Sequence, residues 1–213
     1  MKSTIILLLS LASISLYSQD WEFQKEVDGI KAYNRSVTGS GFKEYKVEGE
    51  IEGTLESMVA VLQDMDIYLD IFPDHKEASI INSDGKTHFE IFLHTKTPFP
   101  VKDRFTYSQS DYSYDAASAT VTLDVECLDN DFLRKQKDRG VLVTNCKGFW
   151  KIKDLDNGKL GITHQFYADP GGMIPGWLIN KRTIDSPLKS IKNIKKFIKK
   201  KAYQNRSFDF IDR

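Results

Sequence analysis

Four acidic side chains, Glu90, Asp124, Glu126 and Asp169, stand in or beside stretches that alternate like strands. Any two of them facing one enclosed space could hold separated pKa values and do general acid and general base work. The plainer account, and the preferred one, is the wet face of half-buried strands. The histidines, His75, His88, His94 and His164, show no HExxH or similar spacing. His88 and His94 fit on one strand face, but zinc wants three or four convergent ligands, so neither a metal nor another cofactor is expected. No GxSxG elbow, phosphate loop or dinucleotide fingerprint occurs, and Gly39-Ser40-Gly41 and Gly171-Gly172 read as isolated turns. No catalytic residues are therefore assigned. Arg104 at the head of a strand is a separate matter: a buried guanidinium is costly unless satisfied, and Glu90 or Glu126 is the expected partner.

Composition narrows the function classes. With 30 basic and 30 acidic side chains, the chain carries no global field that favours nucleic acid. The local exception runs from Lys181 to Lys201, where lysines and Arg182 are opposed by Asp185 alone. That basic helix face is the one feature suited to transient contact with an anionic membrane surface. Cys127 and Cys146 are too few for a disulfide scaffold, and either a bridge or two buried thiols fits them. The 13 Phe, 9 Tyr and 3 Trp are not interleaved with the lysines, so they read as core or as the lining of an apolar pocket rather than a base-stacking surface.

The elements that must position these residues follow from periodicity. Lys2, the apolar run Thr4 to Leu16 and the small residue before Gln19 read as a signal peptide over residues 1–18, which implies export to a periplasm or to the outside. Asp20 can cap a short helix; Val27 to Tyr33 and Phe42 to Ile51 read as strands, and Leu55, Met58, Val59 and Leu62 recur at helical spacing behind the cap Thr54. Strands are predicted for Glu77 to Ile81, His88 to Thr95, Arg104 to Ser110, Ala119 to Leu128, Val141 to Lys153 and Gly161 to Ala168. The last element, Pro175 to Lys201, carries a broad apolar stripe and should kink or divide at Pro187. Residues 202–213 form a tail in which Phe208, Phe210 and Ile211 could still dock. A curved antiparallel sheet with this helix across one face is the economical way to bury the stripe.

Several motifs occur in a telling order: Asp28-Gly29-Ile30 with Tyr33 and Arg35, Pro98-Phe99-Pro100-Val101-Lys102-Asp103-Arg104, Gly148-Phe149-Trp150, and Asp169 to Pro175 leading into Trp177, Leu178 and Asn180. Over most of its length the chain resembles the START family of lipid-transfer domains, within the helix-grip group that also holds polyketide cyclases. The resemblance implies an α+β helix-grip fold: a strongly curved antiparallel sheet wrapped around a long C-terminal helix, with an internal apolar cavity, here over residues 20–201. It implies binding and transfer of a lipid or other hydrophobic small molecule, gated by the loop from Asp169 to Pro175 and the helix behind it, with no enzymatic activity. The candidate ligand-binding residues are Phe92, Arg104, Glu126, Trp150, Phe166, Ile174, Trp177, Leu178, Asn180 and Ile184. A monomer is expected. The alternatives are a cyclase-, aromatase- or hydrolase-like enzyme using the same cavity, and an interaction module with a collapsed core.

Overall fold

Asp28 and Gly29 both take the left-handed region, at φ 52° and 78°, the pair of positive angles that a tight two-residue hairpin turn requires. Strand β1 (Glu22–Val27) therefore folds back on β2 (Ile30–Ser36). The helix expected from Asp20 is replaced by a strand, because the turn brings a partner ladder within reach of its backbone. The computed structural model describes residues 20–129, 131–135, 140–174 and 176–212. The predicted signal peptide lies outside these residues.

Strand β3 (Lys43–Glu52) continues the meander and leads into helix α1 (Leu55–Gln63). Thr54 Oγ1 accepts from the Ser57 amide at 3.1 Å, and Ser57 Oγ accepts from the Thr54 amide at 2.9 Å, so two of the orphan donors at the helix start are satisfied reciprocally. A 3-10 turn (Met65–Ile67) and the short helix α2 (Tyr68–Ile71) follow. Strands β4 (His75–Ser83), β5 (His88–Thr95), β6 (Arg104–Asp115) and β7 (Thr120–Cys127) then pair in succession.

The stretch expected as one strand from Val141 is two. Strand β8 (Val141–Val143) pairs parallel with the start of β6, whereas β9 (Asn145–Asp154) pairs with β7 and with β10 (Lys159–Asp169). The short helix α3 (Asp131–Arg134) precedes them. Cys127 and Cys146 are bridged, fastening the end of β7 to β9 across 19 residues. Closing a loop of that size stabilises a fold by roughly 3 kcal/mol.

Helix α4 (Gly176–Phe197) contains Pro187 without being divided by it. Its buried residues Ile184, Leu188, Ile191 and Ile194, and Ile198 just past its end, pack with Val47, Ile51, Leu55 and Ile152 in the main core. The segment expected as a tail also joins this core: Tyr203 is buried, its hydroxyl donates to Asp64 at 2.8 Å, and Phe208, Phe210 and Ile211 pack beside it.

The α+β class and the long C-terminal helix over a sheet match the sequence reading; the strongly curved sheet wrapped around that helix does not. The strands run in an open path, β1-β2-β3-β10-β9-β7-β6-β5-β4, with β8 beside β6 and no pairing between the two end strands. Helix α4 packs on β2, β3 and α2, toward one end of this path. Enclosure of the remaining inner face is therefore the work of α1, α2 and their connections rather than of sheet closure.

Candidate functional site

Between the inner face of the sheet and the roof formed by Leu62, Met65, Tyr68, Phe72 and the first half of α4 lies a cavity of about 360 Å³. Strand alternation decides which side chains reach it. Strand β5 turns Phe89, Ile91 and Leu93 inward. The intervening Phe92 faces the other way, packed with Phe105, Tyr107 and Leu133 in a second small core.

Of the candidate residues named from sequence, Arg104, Trp150 and Phe166 line the cavity. Glu126, on the outward face of β7 opposite Gln109, is exposed beside Lys147. Ile174 and Ile184 are buried but do not line it. Asn180 accepts from the Lys43 amide at 3.0 Å, fastening α4 to β3. Trp177 and Leu178 belong to α4 by their backbone, and their side chains lie outside the described set.

Arg104 is only 5% exposed. Neither Glu90 nor Glu126 satisfies it. Its Nε donates to the Pro170 carbonyl at 3.0 Å, Nη2 to the Gly171 carbonyl at 2.8 Å, and Nη1 to the Lys102 carbonyl. Glu90 instead accepts from Asn82 on neighbouring β4. A forked donor thus ties the loop before α4 to the loop before β6; desolvation lowers its pKa, and the neighbouring Asp103 carboxylate, which makes no hydrogen bond to it, opposes that shift.

The imidazoles in the wall are neutral. His164 Nδ1 lies 3.0 Å from the Phe149 carbonyl, which can only accept, so Nδ1 carries the proton and Nε2 accepts from the Tyr45 hydroxyl at 2.6 Å. The ring stacks on Trp150, centroids 3.9 Å apart and planes 7° off parallel. Burial pushes its pKa down to about 4, and burial does the same to His75, whose Nδ1 lies 2.9 Å from Thr95 Oγ1. Burial likewise raises the Tyr45, Tyr68 and Tyr112 hydroxyls well above their ordinary value. Among the described residues, no group of three or more His, Cys, Asp or Glu side chains could hold a metal ion. These imidazoles and phenols are uncharged polar groups set among apolar side chains, a lining suited to a hydrophobic guest; the charged side chains Asp74, Lys96 and Arg182 lie toward one end of the cavity.

Polar contacts gather at the end of the cavity beneath α4. Ser186 donates to Asp74 at 2.6 Å, Arg182 lies 3.5 Å from the same carboxylate, and Arg182 also donates to the Lys96 carbonyl at 3.0 Å. Two large apolar side chains stand in water on the loops that Arg104 ties together: Phe99 is 97% exposed and Met173 100%. Asp74 and the two loop residues were not singled out from sequence. The only available signal for the last two was their place in Pro-Phe-Pro and Gly-Gly-Met segments.

The chain overlays on the crystal structure of a STAR-related lipid transfer protein from Xanthomonas axonopodis with a TM-score of 0.75 and 27% identity, covering 84% of this chain and 99% of that one. The chain belongs to the START/polyketide-cyclase-like, or helix-grip, superfamily. Human STARD10 shares the fold, with a TM-score of 0.73 at 18% identity over 85% of this chain and 74% of its own. The rat phosphatidylcholine transfer protein is 28% identical over 175 residues, 78% of each chain. No family model matches. The two mammalian relatives of this superfamily are intracellular, which overturns the expectation of export to a periplasm or to the outside.

Proposed function

We propose that this START-like protein binds a lipid or other hydrophobic small molecule in its cavity and exchanges it with a membrane, without catalysing a reaction. The observation that carries the reading is the cavity itself, about 360 Å³ walled by residues such as Phe72, Phe89, Ile91, Leu93 and Phe166. Burying apolar surface yields roughly 25 cal/mol per Å², so a guest held there needs few polar anchors. The relatives named for lipid and phosphatidylcholine transfer favour the same class of guest. The working unit in this reading is a monomer.

Exit requires the roof to move. The gate in this reading is the loop from Asp169 to Gly172 with the first half of α4, held shut by Arg104 on the Pro170 and Gly171 carbonyls and by Asp74 on Ser186 and Arg182. These are polar contacts that water or a headgroup can replace. The membrane contact is assigned to Phe99 and Met173, which flank the gate, in preference to the lysine face of α4. On that face Lys195 donates to the Asp28 carbonyl at 2.8 Å, and just beyond the helix Lys199 pairs with Glu52 at 2.7 Å and Lys200 lies 3.9 Å from the Phe197 ring centroid.

The test is native mass spectrometry of the full chain purified from its own host, followed by organic extraction. One stoichiometric lipid is the expected result. A protein that stays unliganded after incubation with mixed-lipid vesicles would overturn the reading.

A further inference from the structure

Strand β6 presents its inner face to the cavity as an unbroken polar row: Arg104, Thr106, Ser108, Ser110 and Tyr112 all line it. The neighbouring strands answer with Ile91 and Leu93 on β5 and Leu123 and Val125 on β7, so the row is a seam through apolar surroundings. Arg104 is consumed by backbone carbonyls. The hydroxyls of Thr106, Ser108, Ser110 and Tyr112 make no hydrogen bond among the described residues. Three of these residues are more than nine-tenths buried: Ser108 is 3%, Ser110 5% and Tyr112 8% exposed. Tyr68, on the roof, is another lining phenol without a hydrogen-bond partner among them.

Hydroxyls in an apolar cavity are costly unless something bonds to them. A core strand facing only hydrocarbon would carry apolar side chains at these positions, as β5 does at Phe89, Ile91 and Leu93 and β7 at Leu123 and Val125. From Thr106 to Tyr112 the row extends roughly 20 Å at the usual strand rise, comparable with an extended long acyl chain. The cations at the cavity are engaged or peripheral: Arg104 on carbonyls, Arg182 on Asp74 and the Lys96 carbonyl, and Lys96 exposed at the rim. His75 and His164 lack charge at neutral pH.

We propose that the β6 seam is a specificity element for an uncharged, elongated lipid bearing hydroxyl or carbonyl oxygens along its length, rather than a lipid whose oxygens are confined to one end. This rests on the cavity-binding reading above and sharpens it. The hydrocarbon of such a guest lies against Ile91, Leu93, Leu123 and Val125, and its mid-chain oxygens pair with Ser108, Ser110 and Tyr112.

The experiment compares octadecanol with octadecanediols whose second hydroxyl sits at several mid-chain positions, titrated by calorimetry into the native full chain, a Ser108→Ala/Ser110→Ala variant and a Tyr112→Phe variant. One added hydrogen bond from a buried hydroxyl corresponds to about tenfold in affinity. The native protein is expected to bind at least one diol about tenfold more tightly than the mono-alcohol. The double variant should lose that preference while still binding the mono-alcohol, and Tyr112→Phe, which keeps the ring, should move the preferred hydroxyl position. Equal affinity of the native protein for all the alcohols overturns the seam and leaves cavity binding standing, as does a preference that survives in both variants. Failure to bind any of the alcohols or diols overturns both readings.

Discussion

The two halves of α4 do different work. Before Pro187, Ile179, Arg182, Thr183 and Ser186 face the cavity, and the links of this half to the rest of the fold include Asp74, the Lys96 carbonyl and the Lys43 amide. After it, Leu188, Ile191 and Ile194 are buried in the main core, as is Ile198 just beyond the helix. The first half is anchored in the core by Ile184 and otherwise fastened by replaceable polar contacts, whereas the second is held chiefly by exclusion of water. A proline, which has no amide to give the helix ladder, separates them. A single helix can thus be the lid of a cavity and a fixed part of the core.

The strongest way to break this contrast is to remove a methyl-rich side chain from the fixed half. Ile191→Ala or Ile194→Ala should cost about 2–5 kcal/mol, read by urea unfolding, whereas Ile179→Ala in the lid half should cost far less. Equal losses would mean that the two halves are held alike.

A pH titration separates the cavity wall from the core. His75 and His164 sit at about 4 in the fold, below the ordinary 6.5, so the unfolded chain takes up protons first as the pH falls. Their contribution is fully present above about 6.5 and declines toward 4, by roughly 3 kcal/mol for the buried His164. Thermal melts across that window should show the decline in the native protein and a shallower one in His164→Gln. A flat profile would contradict neutral imidazoles. The helix core stripe, being uncharged, adds nothing to this slope.

The smallest effect on stability falls on the latch. Asp74→Asn should change folding stability by less than about 1 kcal/mol, because its ion pair with Arg182 is partly exposed. It should nevertheless speed release of a bound lipid to acceptor vesicles severalfold, measured by fluorescence transfer. An unchanged rate would move the gate elsewhere.

Much of the fold was legible because local periodicity is a property of neighbours along the chain. The strand His88 to Thr95 has the same bounds in the structure, the Thr54 cap is in place, and the stripe of α4 points where its spacing says. The first hairpin was misread because Asp20 offers a helix cap while the decisive positive φ pair comes eight residues later, at Asp28 and Gly29. The seam on β6 was present as polar residues at alternating positions from Arg104 to Tyr112, but alternation cannot say which face is inward. The same ambiguity put Phe92 among the candidate ligand contacts, when Ile91 and Leu93 are the residues that line the cavity.

By itself the sequence determined the element types, the amphipathic terminal helix and the chain of motifs that resembles the START family, since these depend on spacing and order. Only the tertiary structure decided that the sheet stays open, that Arg104 is satisfied by the carbonyls of a loop more than sixty residues away rather than by an acid, and that Cys127 meets Cys146. The physical reason is common to all three. Pairing, satisfaction of a buried charge and bridging each require groups distant in sequence to converge in space, and convergence is set by how the layers pack.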